Sequence, residues 1–250
     1  MMYLRFQADG LNRYGILEGK TVYEITPNFF GPFKKTGEKF ALAKVKLLAP
    51  CRPGKVISLG LNYREHVKEM KMAAPLQPVI FLKAPSAVVG PHDAIVSPKI
   101  SNHVDFEAEL AVVIKKKAKN VTPKNALDYV LGYTCFNDVT ARDIQRIDGQ
   151  WARSKSFDTF APMGPWITSD IDGDNLKIET FLNGKKKQSS NTSDMVFGVE
   201  EIISYVSEVM TLNPGDVIST GTPPGVGPME KGDSVKIKIE GIGELVNTVA

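Results

Sequence analysis

The sequence predicts a β-rich α+β protein, with a small β region over residues 1–48 ahead of a main domain over residues 49–250. Three features carry that expectation. Short alternating or apolar runs bounded by Gly, Pro or Asn recur from end to end, only one segment keeps a sustained helical period, and no repeat or low-complexity tract interrupts them. In the first region, Tyr14-Gly15-Ile16-Leu17 and Thr21-Val22-Tyr23-Glu24-Ile25 are separated by Gly10, Gly19 and Gly31-Pro32, which reads as a few short strands with too small a core to stand alone. Leu47-Leu48-Ala49-Pro50 and Arg52-Pro53-Gly54 punctuate the boundary. Beyond it, Val56 to Leu59, Val79 to Leu82, Val104 to Ile114, Leu131 to Asn137, Ile178 to Leu182, Val217 to Ser219 and Val235 to Ile239 are the expected strands. The clearest helix runs from about Val199 to Leu212, where Ile202, Ile203, Val206, Val209 and Met210 form one apolar stripe. Tyr63 to Met72 and Thr140 to Arg146 are shorter helical candidates.

Composition narrows the function classes. With 250 residues, 42% apolar and 24% charged, the chain sits in the ordinary globular range. MMYLRFQADG has no apolar core of signal-peptide length, and no run approaches the ~20 apolar residues of a membrane helix, so a cytoplasmic protein without a membrane partner is expected. Cys51 and Cys135 lack any ligand spacing and are expected to be reduced, buried thiols. A net charge of +3 is small, and the clusters Lys115 to Lys117 and Lys185 to Lys187 read as solvated turns, the second directly after the hairpin signal Asn183-Gly184. Neither cluster is interleaved with aromatics, so no nucleic-acid partner is expected.

The most informative segment runs from His103 to Ile114. Side chains two apart share a strand face, so Val104, Phe106, Ala108 and Leu110 are expected to point one way, and Asp105, Glu107 and Glu109 the other. A solvent-facing edge strand is the usual account of such an acidic ladder. Against it, Ala111-Val112-Val113-Ile114 is apolar on both faces, and carboxylates in a covered strand need a cation. Asp138 ends another apolar strand just before a helical segment. It reads either as a helix cap or as a third oxygen ligand, with Glu107 and Glu109, for Mg2+ or Mn2+. The scattered His66, His92 and His103 argue against zinc. His66 and Glu69 are three apart on a helix, which suits either an exposed ion pair or a carboxylate-oriented general base.

Several motifs occur together in order. They are Gly60-Leu61-Asn62-Tyr63 with His66 and Glu69, Phe81-Leu82-Lys83, Asp105-Phe106-Glu107-Ala108-Glu109-Leu110 and Gly132-Tyr133. They continue through the run Asn137 to Gln145, Lys155-Ser156-Phe157-Asp158-Thr159, Pro214-Gly215-Asp216 and Gly221-Thr222-Pro223. Over nearly the whole chain this resembles the fumarylacetoacetate hydrolase family. The first 48 residues are similar to the small N-terminal domain of many bacterial members. The resemblance implies a mixed β-roll catalytic domain, a homodimer, and Mg2+ or Mn2+ held at the positions of Glu107, Glu109 and Asp138. The longest members add a carboxylate just before the catalytic histidine. Ser58 to Asn62 offers none, so water is expected there. Lys155 matches a lysine beside the metal, Thr159 a residue of the same loop, and Gln145 and Thr222 substrate contacts. Arg64, Lys83 and Arg142 are candidates for a substrate carboxylate.

The resemblance implies a small 2-oxo acid substrate. The expected reaction is hydrolysis of a C–C bond in an acylpyruvate-like compound through a metal-bound enolate, with Lys155 adding positive charge and the His66–Glu69 dyad activating water. Isomerisation of a 2-hydroxy-diene-dioate and decarboxylation of an oxaloacetate-type acid are the alternatives, because family likeness does not choose among them. A metal-binding protein without turnover is the alternative from another class.

Overall fold

The computed structural model describes residues 1–250 as a β-rich molecule built on three sheets. The largest has twelve strands. Its main path runs from Lys34–Ala41 through Thr21–Thr26, Leu11–Glu18, Met2–Ala8, Ala161–Thr168, Val130–Asn137, Ala108–Ile114, Val217–Ser219 and Val56–Gly60 to Val79–Lys83. The N-terminal strands therefore extend the main sheet: Met2 pairs with Thr168 and Tyr3 with Ile167. Their own small core is Leu4, Phe6, Ala8, Leu17 and Val22, which is why the region leans on its neighbour. No helix is long and apolar enough to cross a membrane.

The expected strands form with shifts of a residue or so, but three more long ones appear in the main domain that the pattern did not disclose. Ala161–Thr168 is interrupted by Pro162, Gly164 and Pro165, Lys185–Asn191 is mostly polar, and Gly243–Val249 lies at the C-terminus. The lysines Lys185 to Lys187 are exposed as expected, yet they sit in that second strand rather than in a turn. The main helix is Val199–Val209 and stops short of Leu212. Met210 is extended and Leu212 bridges to Ala118, so a tertiary pairing ends the helix before its apolar stripe does.

One difference matters for the site. Val104 to Ile114 is two strands, Val104–Phe106 and Ala108–Ile114, in different sheets with Glu107 at the break. Ala108, Leu110, Val112 and Ile114 enter one apolar core, whereas Ala111 and Val113 enter the second. Val104 and Phe106 also join the second, so the expected common face of Val104, Phe106, Ala108 and Leu110 does not form. The break flips the alternation, and the acids are not one simple ladder. Both faces are covered, as the apolar continuation required.

Candidate active site

The chain break places Glu107 where two sheets meet. Its backbone N–H donates to Asn137 Oδ1 at 3.0 Å, and its carbonyl accepts from Asp138 N–H at 2.9 Å, which ties the two acidic positions together. Glu109 comes from the next strand, with Phe136 as its cross-strand partner. One carboxylate oxygen from each of Glu107, Glu109 and Asp138 lies within 4.8 Å of the others, and all three residues are buried. Asp138 is no helix cap: Ala141 occupies that position, and the Asp138 carboxylate faces lysines.

Buried carboxylates must be compensated, and most of these are. Lys155 Nζ donates to Glu107 Oε2 at 2.7 Å and to Asp138 Oδ2 at 2.6 Å. Lys83 donates to the other Asp138 oxygen and to the Val139 carbonyl. Arg142 spans Asp105, through Nε at 2.8 Å, and Glu107, through Nη2, while its Nη1 donates to Gln145 Oε1 at 2.6 Å. Burial disfavours the Glu107 charge, but Lys155 and Arg142 outweigh that and hold its carboxyl at about 2. Burial also opposes the charge of Lys155, yet Asp138 and Glu107 raise its pKa and keep it an ammonium.

Glu109 is the exception. Its carboxylate has the backbone N–H of Gly221 at 2.9 Å and no cationic partner. Burial, then the charges of Asp138 and Glu107, push its pKa well above the ordinary carboxylate range. Asp105, Glu107, Glu109 and Asp138 thus outnumber the cations Lys83, Lys155 and Arg142 in this network. An all-oxygen cluster with more carboxyl groups than cations fits a hard divalent cation such as Mg2+ or Mn2+, held by Glu107, Glu109 and Asp138. Gly221 makes the close approach possible: at φ +96° it has no Cβ, which would stand 2.8 Å from Asn62 Cβ. Asn62 in turn donates to the carbonyls of Thr220 and Phe197.

These groups open onto a cavity of about 220 Å³, lined among others by Glu107, Glu109, Lys155, His66 and Thr222. His66 Nδ1 lies 2.9 Å from Glu69 Oε2, and Glu69 is fixed by the backbone N–H of Gly225 at 3.1 Å. The helix carrying the dyad is Arg64–Glu69, shorter than Tyr63 to Met72, because Lys71 turns the chain at φ +54°. Thr222 Oγ1 accepts from Gln188 Nε2 at 2.8 Å, and Gln188 also accepts from Ala108 N–H, so it couples the acid strand to the 222–223 loop.

The remaining candidates divide. Gln145 and Arg142 line the cavity, but Arg142 is committed to carboxylates of the protein. Lys83 is fully buried on Asp138, and Arg64 is exposed with its guanidinium on the Ser193 carbonyl at 3.2 Å. Thr159 lies off the cavity, where its Oγ1 accepts from Val96 N–H at 2.8 Å. Sequence reasoning missed Arg146, Trp151, Met70 and Met72 on the cavity wall. Arg146 was detectable, one helical turn beyond Arg142 in a segment already read as helical. Trp151 has no such signal: its ring packs on Gly60, where a Cβ would meet it at 2.4 Å.

Comparison with known proteins identifies the family. The family model described as fumarylacetoacetate (FAA) hydrolase C-terminal matches residues 55–250, and one described as Rv2993c-like, N-terminal matches residues 1–50. Oxaloacetate tautomerase Fahd2a, mitochondrial, of Rattus norvegicus is 47% identical over 219 residues, 83% of this chain and 70% of that protein. The crystal structure of 2-hydroxyhepta-2,4-diene-1,7-dioate isomerase from Mycobacterium marinum aligns at TM-score 0.94 and 45% identity, covering 100% of this chain and 98% of that one. Maleylpyruvate hydrolase from Sphingobium sp. SYK-6, in complex with manganese (II) ion and pyruvate, aligns at TM-score 0.84 and 32% identity, covering 100% and 99%. With a buried three-carboxylate cluster at the centre of its fold, this chain belongs to the fumarylacetoacetate hydrolase family, whose members include hydrolases, isomerases and an oxaloacetate tautomerase.

Proposed function

We propose that the protein is a divalent-metal-dependent enzyme that enolises a short 2-oxo acid, moving the proton at C3 with His66. The observation that carries this reading is that His66, held by Glu69, lines the same cavity as Glu107 and Glu109 of the carboxylate cluster. Glu107, Glu109 and Asp138 would hold Mg2+ or Mn2+, which would supply Lewis-acid polarisation of the keto oxygen. Glu69 accepts from Nδ1–H, which leaves Nε2 of His66 as the acceptor for the substrate proton. Lys155 stays charged beside Glu107 and Asp138 and favours negative charge developing on the substrate. Trp151, Met70 and Met72 line the same space and reduce its water content.

Keto–enol isomerisation needs no further group, and the 47% identity to an oxaloacetate tautomerase supports it. Hydrolysis of an acylpyruvate-like C–C bond is the second reading, supported by the likeness to maleylpyruvate hydrolase. It requires in addition a water between His66 Nε2 and the distal carbonyl. We further propose that the molecule works as a homodimer in the cytoplasm. The decisive experiment follows solvent deuterium exchange at C3 and C–C cleavage of the same acylpyruvate, in the presence of Mg2+ or Mn2+, for the parent and His66→Ala. If His66 moves the C3 proton, both fall together, by roughly the 10²- to 10⁴-fold of a lost general base. A fall in cleavage alone would make water activation its role, and undiminished exchange and cleavage would remove the dyad from catalysis.

A further inference from the structure

We propose that Arg146 binds the far carboxylate of the substrate, so that the site selects 2-oxo dioates over 2-oxo monoacids. This rests on the reading of the cavity as a 2-oxo acid site and deepens it. The argument begins with the cations available at the cavity. Lys155 is taken by Glu107 and Asp138, and Arg142 by Asp105, Glu107 and Gln145. Lys83 is sealed beneath them on Asp138, and Arg64 is on the outer surface at Ser193. Arg146 alone among the cavity's cations has no hydrogen bond or ion pair to the protein. It is not short of nearby acids. Both carboxylates of its own helix, Arg142–Asp148, are engaged elsewhere: Asp143 with Ser101 and the Asn102 backbone, Asp148 with Arg153.

Placement supplies the second step. Arg142, Gln145 and Arg146 stand at i, i+3 and i+4 on that helix, so they share one face. At a rise of 1.5 Å per residue, Arg146 is about 6 Å farther along the axis than Arg142. The helix runs from the buried acids toward the mouth, since Arg142 is buried and Arg146 exposed. A 2-oxo acid with its keto-acid head at the carboxylate cluster extends along this face toward Arg146. Met70, Met72 and Trp151 flank that path with apolar surface suited to the carbon chain. A guanidinium matches a carboxylate with two parallel N–H donors, and its long side chain accommodates substrates of more than one length.

The test uses chain-matched acids that differ by one carboxylate: freshly prepared oxaloacetate with 2-oxobutanoate, and 2-oxoglutarate with 2-oxopentanoate. Dissociation constants are measured by calorimetry with Mg2+ in excess, for the parent and for Arg146→Gln and Arg146→Lys. The parent is expected to prefer the dioate in at least one pair by about tenfold or more. Arg146→Gln should weaken that dioate about ten- to a hundredfold while leaving the monoacid within about twofold, and Arg146→Lys should restore part of the difference. In turnover of oxaloacetate, Arg146→Gln should raise KM and leave kcat nearly unchanged. An Arg146→Gln variant that weakens dioate and monoacid alike, or neither, overturns the assignment of Arg146 while the 2-oxo acid reading stands. If none of the four acids binds the parent, that reading falls and this inference falls with it.

Discussion

The inner wall of the cavity keeps its charged groups under cover and cross-bonded, whereas the outer wall carries Arg146 at the surface without a partner in the protein. Glu109, Asp138, Lys83 and Lys155 are all nearly inaccessible, and the two lysines alone connect Glu107, Asp138 and Val139. Across the cavity, Met70 is 43% exposed, Met72 53% and neighbouring Ile147 79%, and the Arg64–Glu69 helix has fewer than two turns. The difference separates two tasks. A buried, bonded network can stabilise developing charge without reorganising, which is what electrostatic catalysis requires. A short, exposed helix and a free arginine can adapt to the substrate's remaining atoms. Loss of an inner-wall cation should therefore cost stability and chemistry together, and changes to the outer wall should alter selectivity or nothing.

The sharpest way to break that contrast is Lys155→Met. Removing this cation leaves Glu107 with Arg142 alone and Asp138 with Lys83 alone under cover, a loss below the about 3–5 kcal/mol of a buried charge stripped of its only partner. Turnover should fall by roughly 10²- to 10³-fold, the scale of losing one preorganised electrostatic group. Saturating Mg2+ should raise the Tm of the variant more than that of the parent, because acids that have lost one of their cations then gain another. Thermal melts with and without Mg2+, alongside initial rates, check both parts. Full activity in Lys155→Met would show that the inner wall is scaffolding only.

These expectations show how far local pattern reaches. Glu107, Glu109 and Asp138 stand out because acids in otherwise apolar strands contradict burial, a conflict visible without coordinates. The strand break at Glu107 is not visible, since nothing in Phe106-Glu107-Ala108 is a breaker residue and the interruption comes from joining two sheets. The carboxylate role expected of Lys83 and Arg142 illustrates the same limit. Residue type identified them as cations, but only the fold shows that Asp138, Asp105 and Glu107 already claim them. Gln188 stayed hidden because its strand is polar and follows three exposed lysines, so periodicity had no apolar face to register.

A second, smaller effect distinguishes compensation from ligation within the inner wall. Glu109 has no cationic partner, and burial already favours its neutral form, which glutamine imitates in shape. Glu109→Gln should therefore leave the Tm of the metal-free protein equal or higher, the opposite of Lys155→Met. It should also abolish the Tm increase that Mg2+ or Mn2+ gives the parent, since one of three ligands is lost. Calorimetric titration with Mn2+ measures the ligation directly. Equal Mn2+ affinity in the variant and the parent would exclude Glu109 from the ligand set.

The smallest expected effect lies just outside the cavity, at Arg64. The family resemblance offered it as a candidate partner for a substrate carboxylate, and it lies on the helix that carries His66. In the fold its guanidinium donates to the Ser193 carbonyl on the exposed surface, and the residue does not line the cavity. An exposed contact of that kind contributes little, since water replaces the lost donor at both ends. Arg64→Ala should therefore keep stability within about 0.5 kcal/mol and kcat/KM within about twofold of the parent. Arg146→Gln serves as the matched comparison, an exposed arginine removed from the cavity wall itself. Denaturant titration and initial rates on oxaloacetate, run on both variants together, measure the difference. A rise in KM for Arg64→Ala as large as that for Arg146→Gln would mean that the helix moves far enough to bring Arg64 onto the substrate. The outer wall would then select its ligand by closing on it, and the free guanidinium of Arg146 would be only one part of that surface.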